Sequence, residues 1–289
     1  MRRLAKDQLE ELAKANALAN SHHADFECGL ISALRLSCVE LPRMPRGSDS
    51  QRSMKLDALH AVVDHPAKRH RWNGSTFHVL ANPSLAALPP DVRREYAPRM
   101  IVEGVYVTHP LLVWAQMARF LDREELTVLG DSMMRRNQSM PHFAPEDFRT
   151  LLELLPARFK GRSKCLWALE RMRENTDSSM ETRLRLKLEQ EPLPDLESLE
   201  INYKVAVNED GAAMFLDMAL PHLQIGIEYA GRHHAEQWSD DLARQSALAA
   251  VAWEIVTASN ETMRDGGRWG EFVLQLCTLI LQQRERLHQ

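Results

Sequence analysis

Residues 213–230 read Ala213-Met214-Phe215-Leu216-Asp217-Met218-Ala219-Leu220, then Pro221-His222, then Leu223-Gln224-Ile225-Gly226-Ile227-Glu228-Tyr229-Ala230. Side chains along a strand alternate between its two faces. Met214, Leu216, Met218 and Leu220 therefore share one face of the first run, and Ala213, Phe215, Asp217 and Ala219 the other. In the second run Leu223, Ile225, Ile227 and Tyr229 oppose Gln224, Gly226, Glu228 and Ala230. The pattern predicts a hairpin with Asp217 and Glu228 together on its less apolar face. A two-residue turn at His222-Leu223 pairs positions whose numbers sum to 445, and 217 with 228 is such a pair, although Pro221 leaves a longer loop open. Directly opposed residues have Cβ atoms about 4.5–5.5 Å apart. Two carboxylates that close repel unless a cation lies between them. Mg²⁺, which takes one or two carboxylates and keeps several waters, suits the spacing. The plainer reading of the pair is two solvated carboxylates on an exposed sheet face.

The flanking sequence supplies the rest of a domain. Ser178-Ser179-Met180-Glu181 has the form of a capping box, with Ser178 as N-cap and Glu181 reaching back from the third helical position. It predicts a helix to about Glu191, stopped by Pro192 and Pro194. Leu199 to Val207 alternates like a strand, and Asn208-Glu209-Asp210-Gly211 is turn chemistry. Glu236 to Ala252 reads as a helix, Trp253 to Thr257 as a short strand and Trp269 to Leu287 as a final helix. The order is α-β-β-β-α-β-α.

This segment resembles a known family. Asp217, then Ile225-Gly226-Ile227-Glu228-Tyr229-Ala230-Gly231-Arg232-His233-His234, is similar to the signature of Vsr-like (very-short-patch-repair-like) endonuclease domains of the PD-(D/E)xK nuclease superfamily. Ser178 to Arg185 looks like that family's first helix, and Asp240/Asp241 with Arg244, followed by Trp253-Glu254-Ile255-Val256-Thr257, looks like its downstream motif. The resemblance implies an αβββαβα fold around a central mixed sheet and hydrolysis of phosphodiesters in DNA. It implies Mg²⁺ or Mn²⁺ on Asp217 and Glu228, with the carbonyl of Tyr229 as a third ligand. His234 or His233 would move a proton or donate to phosphate, Glu181 would hold a metal-bound water, and Arg244 would contact phosphate. Capping for Glu181, and an ion pair with Asp240 or Asp241 for Arg244, are the structural alternatives. Trp238 and Trp253 read as core. One departure stands out: the family commonly has an acid, and the wider superfamily its lysine, where this chain has Ala230. Lys204 and His233 are the neighbours that would have to substitute.

Upstream, residues 21–136 resemble the region that precedes such domains in proteins with an AbiEi-like antitoxin segment, through Leu34-Arg35-Leu36-Ser37-Cys38-Val39-Glu40-Leu41-Pro42 and Val105-Tyr106-Val107-Thr108-His109-Pro110. A toxin or other protein partner is implied alongside DNA. Residues 1–20 read as a helix with Leu4, Leu9 and Leu12 near one face, and 24–38 as a second helix. Residues 41–98 read as loops with short strands such as 76–80, and helices are expected at 110–121, 123–136, 145–155 and 163–174. His60, His65, His70 and His78 read as solvated loop residues, since five-residue steps turn about 140° on a helix and do not converge.

Length and charge bound these readings. The 289 residues favour about two domains. With 44% hydrophobic and 26% charged residues, the composition is that of a globular protein. No apolar run approaches a membrane span and the N-terminus lacks a secretory h-region, so a cytoplasmic chain without membrane contact is expected. The four cysteines, at 28, 38, 165 and 277, form no CxxC pair and read as reduced core residues. Residues 1–177 hold 26 Lys+Arg against 22 Asp+Glu, whereas 178–289 hold 10 against 18. If the chain holds nucleic acid, the N-terminal part must help, and the acidic part is better suited to a metal.

The expectation is therefore an α+β protein in three parts: a mixed AbiEi-like region at 1–140, a helical connector at 141–176 and the endonuclease-like domain at 177–289. Its expected function is a metal-dependent DNA endonuclease. The alternatives are a nucleic-acid-binding or antitoxin-like regulator that keeps the nuclease fold without activity, for which Ala230 argues, and a protein–protein adaptor.

Overall fold

The computed structural model describes residues 2–21, 26–45, 54–80, 82–135, 143–207, 213–231 and 238–287, without the side chains of 2 and 238–242. The fold is α+β. The chain divides into two compact units, Met1–Glu174 and Asn175–Gln289.

The first unit runs α1 (Arg2–Ser21), β1 (Glu27–Cys28), α2 (Leu30–Leu36), β2 (Leu59–Val63), β3 (Ser75–Val79), β4 (Arg99–Val102), β5 (Val105–Val107), α3 (Pro110–Met117), α4 (Arg123–Met133), α5 (Pro145–Leu154) and α6 (Arg162–Arg171). The strands form one sheet in the order β3-β2-β1-β5-β4, in which β1 pairs parallel with β5 and β2 parallel with β3. One continuous core joins that sheet to the helices. Helix starts follow local chemistry: Pro110 and Pro145 open α3 and α5, and the Asp122 carboxylate accepts the Glu125 N–H (2.7 Å) ahead of α4. The segment expected as a connector supplies α5 and α6, which pack onto α3 and α4 within this unit.

Several expectations for this half are corrected. The helix read over 24–38 is a short strand followed by α2, because the chain breaks at Gly29, where an added Cβ would lie 2.2 Å from Val62. The stretch 41–98 does hold loops with short strands, the expected one at 75–79 and a second at 59–63, which pair within one sheet. The buried face of α1 is Glu11, Ala15 and Leu18, while Leu9 is 66% exposed. The histidines also depart from their reading: His60 is fully buried and stacks on His78 with ring centroids 5.1 Å apart. They lie on adjacent parallel strands, where tertiary pairing and not helical rotation decides convergence.

The second unit runs α7 (Ser179–Leu188), β6 (Glu200–Ala206), β7 (Ala213–Leu220), β8 (Ile225–Ala230), α8 (Trp238–Ala250), β9 (Glu254–Ser259), α9 (Asn260–Arg264) and α10 (Gly266–Leu287). Its mixed sheet has the order β6-β7-β8-β9, antiparallel except for β8 with β9. Apart from the short α9, this is the expected succession. One sheet face packs Met218, Leu220, Ile225, Ile227, Val256 and Ala258 with Leu184 and Leu188 of α7 and Phe272, Leu276 and Ile280 of α10. The other packs Val205, Leu216 and Ala219 with Leu248 of α8 and Trp253, which lies against Tyr203. Gly226 is required on that second face: an added Cβ would stand 2.6 Å from Ile255 and 2.9 Å from Leu216.

Of the cysteines, Cys28 and Cys165 are buried, and burial pushes both thiols up to about 12. Among the described residues no helix is long and apolar enough to cross a membrane.

Candidate functional site

The β7–β8 hairpin has the expected register with a different loop. Met218 pairs with Ile227, Ala219 with Gly226 and Leu220 with Ile225, all on the sum of 445. The connection is four residues, a turn of 3-10 helix at Pro221–Leu223 followed by Gln224 in the left-handed region (φ 52°). The paired ladder ends at Met218↔Ile227, so Asp217 and Glu228 are the first positions beyond it. β8 continues alongside β9 to Ala230↔Ser259, and β7 continues alongside β6 to Ala213↔Ala206. The sheet forks here.

At the same point the β6–β7 ribbon turns over, which period two does not anticipate. Met218 and Leu216 differ by two residues, yet Met218 faces α7 and α10 while Leu216 lies in the α8 core, against Gly226. On β6 Ile201 packs with the first cluster, Tyr203 and Val205 with the second. Between them Asn202 has φ 51°, a left-handed backbone inside a strand, and its amide donates to the Asn175 carbonyl at 2.9 Å. On that register Asn202 lies opposite Asp217. Asp217 therefore sits at the crossover instead of squarely on the Glu228 face. Its carboxylate accepts the backbone N–H of Tyr229 at 2.8 Å. Since a strand's N–H lies in the plane of the sheet, the carboxylate is at strand level, in the fork.

Glu181 and Glu228 flank it. Glu181, the third residue of α7, is 8% exposed. Ser178 caps α7 by accepting the Glu181 N–H (3.3 Å), and the Glu181 carboxylate accepts the Asp177 N–H (2.8 Å). The carboxylate thus reaches one residue before the N-cap. Burial raises its pKa. Glu228, on the face covered by α8, is ion-paired to Arg244, which also donates to the Phe215 carbonyl at 2.5 Å. The side chains of Asp240 and Asp241, the alternative partners for Arg244, lie outside the described residues. Burial first, then the charge of Glu181, with a lesser push from Glu228, raises the Asp217 carboxyl to about 7, against the opposing pull of the Tyr229 N–H and Arg244.

Asp217 thus feels the charges of Glu181 and Glu228, with Arg244 opposing them. All the donors are hard oxygens in excess negative charge, which fits a hard divalent cation. Among the described residues no three His, Cys, Asp or Glu side chains are gathered as a metal-holding group. Asp217 and Glu228 with water would be the protein's share, as Mg²⁺ commonly accepts. Ala230 pairs with Ser259 at the end of β8 and brings neither acid nor base. Lys204, the substitute weighed above, is exposed on β6 opposite Phe215, two positions from Asp217 along β7. His233 and His234 lie outside the described residues. Trp253 is core, as expected. Asn202 was missed by sequence reading; nothing in the period-two pattern marks a strand residue with positive φ.

No family model matches the chain, and no curated protein or solved structure matches it.

Proposed function

We propose that the second unit is a metal-dependent phosphodiesterase acting on DNA, in the manner of the Vsr-like domains its sequence resembles. The observation that carries this reading is the fork between β7 and β8, where Asp217, raised to about 7, meets Glu181 and Glu228. Carboxylates are crowded at a strand fork at a cost in stability, and sites whose pKa values are strongly shifted by burial and like charge are enriched in function. A bound Mg²⁺ or Mn²⁺ would supply a water of lowered pKa and charge stabilisation at the scissile phosphate. The chain's own groups do the rest. Asp217 is fixed by the Tyr229 N–H, so its free oxygen is aimed without rearrangement. Glu181, anchored at the start of α7, would hold a metal-bound water. Arg244 holds Glu228 in position and would contact a phosphate oxygen.

A second reading is a nucleic-acid-binding regulator that retains the fold without hydrolysis. Two observations favour it: the methyl group of Ala230 at a position where related sites carry a functional group, and the engagement of Glu228 by Arg244. The two readings part in one assay. Purified chain with Mn²⁺ or Mg²⁺ should cut duplex DNA above the level of an Asp217→Ala, Glu228→Ala double variant. Equal, background rates in both, with salt-sensitive DNA binding retained, would select the regulator.

A further inference from the structure

The first unit carries a group of exposed cations without carboxylate partners among the described residues. Arg69 and Arg71 lie in the β2–β3 connection, Arg119 just after α3, and Arg158 and Lys160 between α5 and α6; all five are exposed. Among the described residues none of the five has a carboxylate partner. Elsewhere in this unit exposed Lys68 is paired with Asp64 at 3.0 Å and exposed Arg149 with Glu146 at 3.6 Å.

The five are brought together by the backbone. Arg69 and Arg119 both act electrostatically on His78 of β3, so both lie near that strand. Residues 158–160 are held beside them by two contacts. Asn82, just past the end of β3, donates to the Arg158 carbonyl at 3.2 Å. Gly161 (φ 101°) lies so close to Ala118 that an added Cβ would stand 2.8 Å from its carbonyl carbon, and Lys164 donates to the Ala118 carbonyl at 3.1 Å. The group is interleaved with rings: Phe77 against His70, and Phe159 against Arg162. Residues 1–174 hold 26 Lys+Arg against 21 Asp+Glu, and residues 175–289 hold 10 against 19.

We infer that this group, Arg69, Arg71, Arg119, Arg158 and Lys160, is a binding surface for the phosphate backbone of duplex DNA. A group of unpaired cations is complementary to a row of phosphates, and each phosphate neutralised releases condensed counterions. The acidic second unit, which on the reading above must meet a scissile phosphate, is poorly suited to hold DNA by charge. The surface deepens that reading, since it supplies the affinity that the proposed active site lacks.

The test is fluorescence anisotropy of a labelled 20-base-pair duplex in EDTA across a salt series, with the whole chain. Arg69→Ala, Arg158→Ala, Lys160→Ala together remove three cations whose side chains make no hydrogen bond or ion pair among the described residues. They should reduce the slope of log affinity against log salt by about 2.7, at about 0.9 per phosphate contact. Arg264→Ala with Arg286→Ala, exposed cations of the second unit, should leave the slope unchanged. An unaltered slope in the triple variant overturns the inference. So does an equal loss in the control, or a duplex RNA held through these cations more tightly than DNA. Cleavage in Mn²⁺ is read separately: cutting that the triple variant retains at unchanged KM leaves the nuclease standing without this surface. Salt-sensitive binding lost in the triple variant, with no cutting by any form, leaves the surface standing without the nuclease.

Discussion

Each unit buries a cluster of charged groups, and the two are built on opposite terms. In the first unit Glu11, 1% exposed, accepts from Ser32, from Arg35 at 3.1 Å and from Lys14 at 3.2 Å. Ser32 in turn accepts the His60 N–H at 2.7 Å, and the His60 ring meets His78 at 2.9 Å and the Lys55 carbonyl at 2.9 Å. The buried carboxylate there has two cations and a hydroxyl as partners. In the second unit the charges of Glu181 and Glu228 act on Asp217 against the pull of Arg244, and burial with those charges raises its carboxyl to about 7. A buried network that is satisfied holds a fold together, whereas one left incomplete has room for a ligand to complete it.

The comparison breaks most directly at its two central acids. Glu11→Ala leaves Arg35 and Ser32 facing an apolar gap and should cost about 3 kcal/mol, the scale for removing one partner of a buried pair. Asp217→Asn keeps an acceptor for the Tyr229 N–H and removes the crowded charge, so it should stabilise its unit by about 1 kcal/mol at pH 8. Hydrogen exchange resolved by unit measures both. A stabilised Glu11→Ala, or a strongly destabilised Asp217→Asn, would mean that the two clusters do not differ in kind.

Acid titration sharpens the same contrast, because the two clusters respond with opposite sign. Asp217 has a folded pKa of about 7 against 3.8 for the free side chain. The folded chain keeps a proton that the unfolded chain gives up, so this contribution is full below about 3.8 and is lost as pH rises towards 7. Burial lowers His78 to about 4 from 6.5 and lowers His60 as well, and buried His109 falls to about 4. Those groups stabilise the first unit fully above pH 6.5, and the contribution is lost as pH falls towards 4. Each group changes stability by about 1.4 kcal/mol per pH unit inside its window. Asp217→Asn should flatten the slope of the second unit alone, and His78→Gln that of the first alone.

A divalent cation should complete only the second cluster. Mn²⁺ at ten times its Kd would stabilise that unit by about 1.4 kcal/mol and leave the first unchanged. The effect should vanish in Glu228→Ala. Protection of both units, or of neither, would remove the cation from this account.

How much of this was legible in the sequence follows from the range over which each feature is encoded. The succession α-β-β-β-α-β-α is written in local patterning and turn residues, and the hairpin register in the positions of Asp217 and Glu228 about the turn. The register survived a wrong loop length because opening the turn by one residue on each side leaves the sum of 445 intact. What failed was non-local. The ribbon's turn-over at Asn202 depends on two strands changing face together, and strict period two conceals it. The sheet of the first unit is assembled from strands of two to five residues, several of them paired parallel, and such fragments carry too few alternations to read.

The smallest expected effect concerns Arg244. Its pair with Glu228 is 32% and 21% exposed, so solvent screening reduces its worth, and Arg244→Gln should change stability by only about 0.5 kcal/mol. Its influence on ligand binding should be larger than its influence on stability. In the unliganded chain the guanidinium is the cation that Glu228 already has, and Mn²⁺ must compete with it. Removing it should tighten Mn²⁺ severalfold by titration calorimetry while weakening DNA cleavage, if Arg244 contacts phosphate as proposed. If Arg244→Gln instead abolished Mn²⁺ binding, Arg244 would be the residue that aims Glu228, and the second cluster would be closer to the satisfied kind found around Glu11.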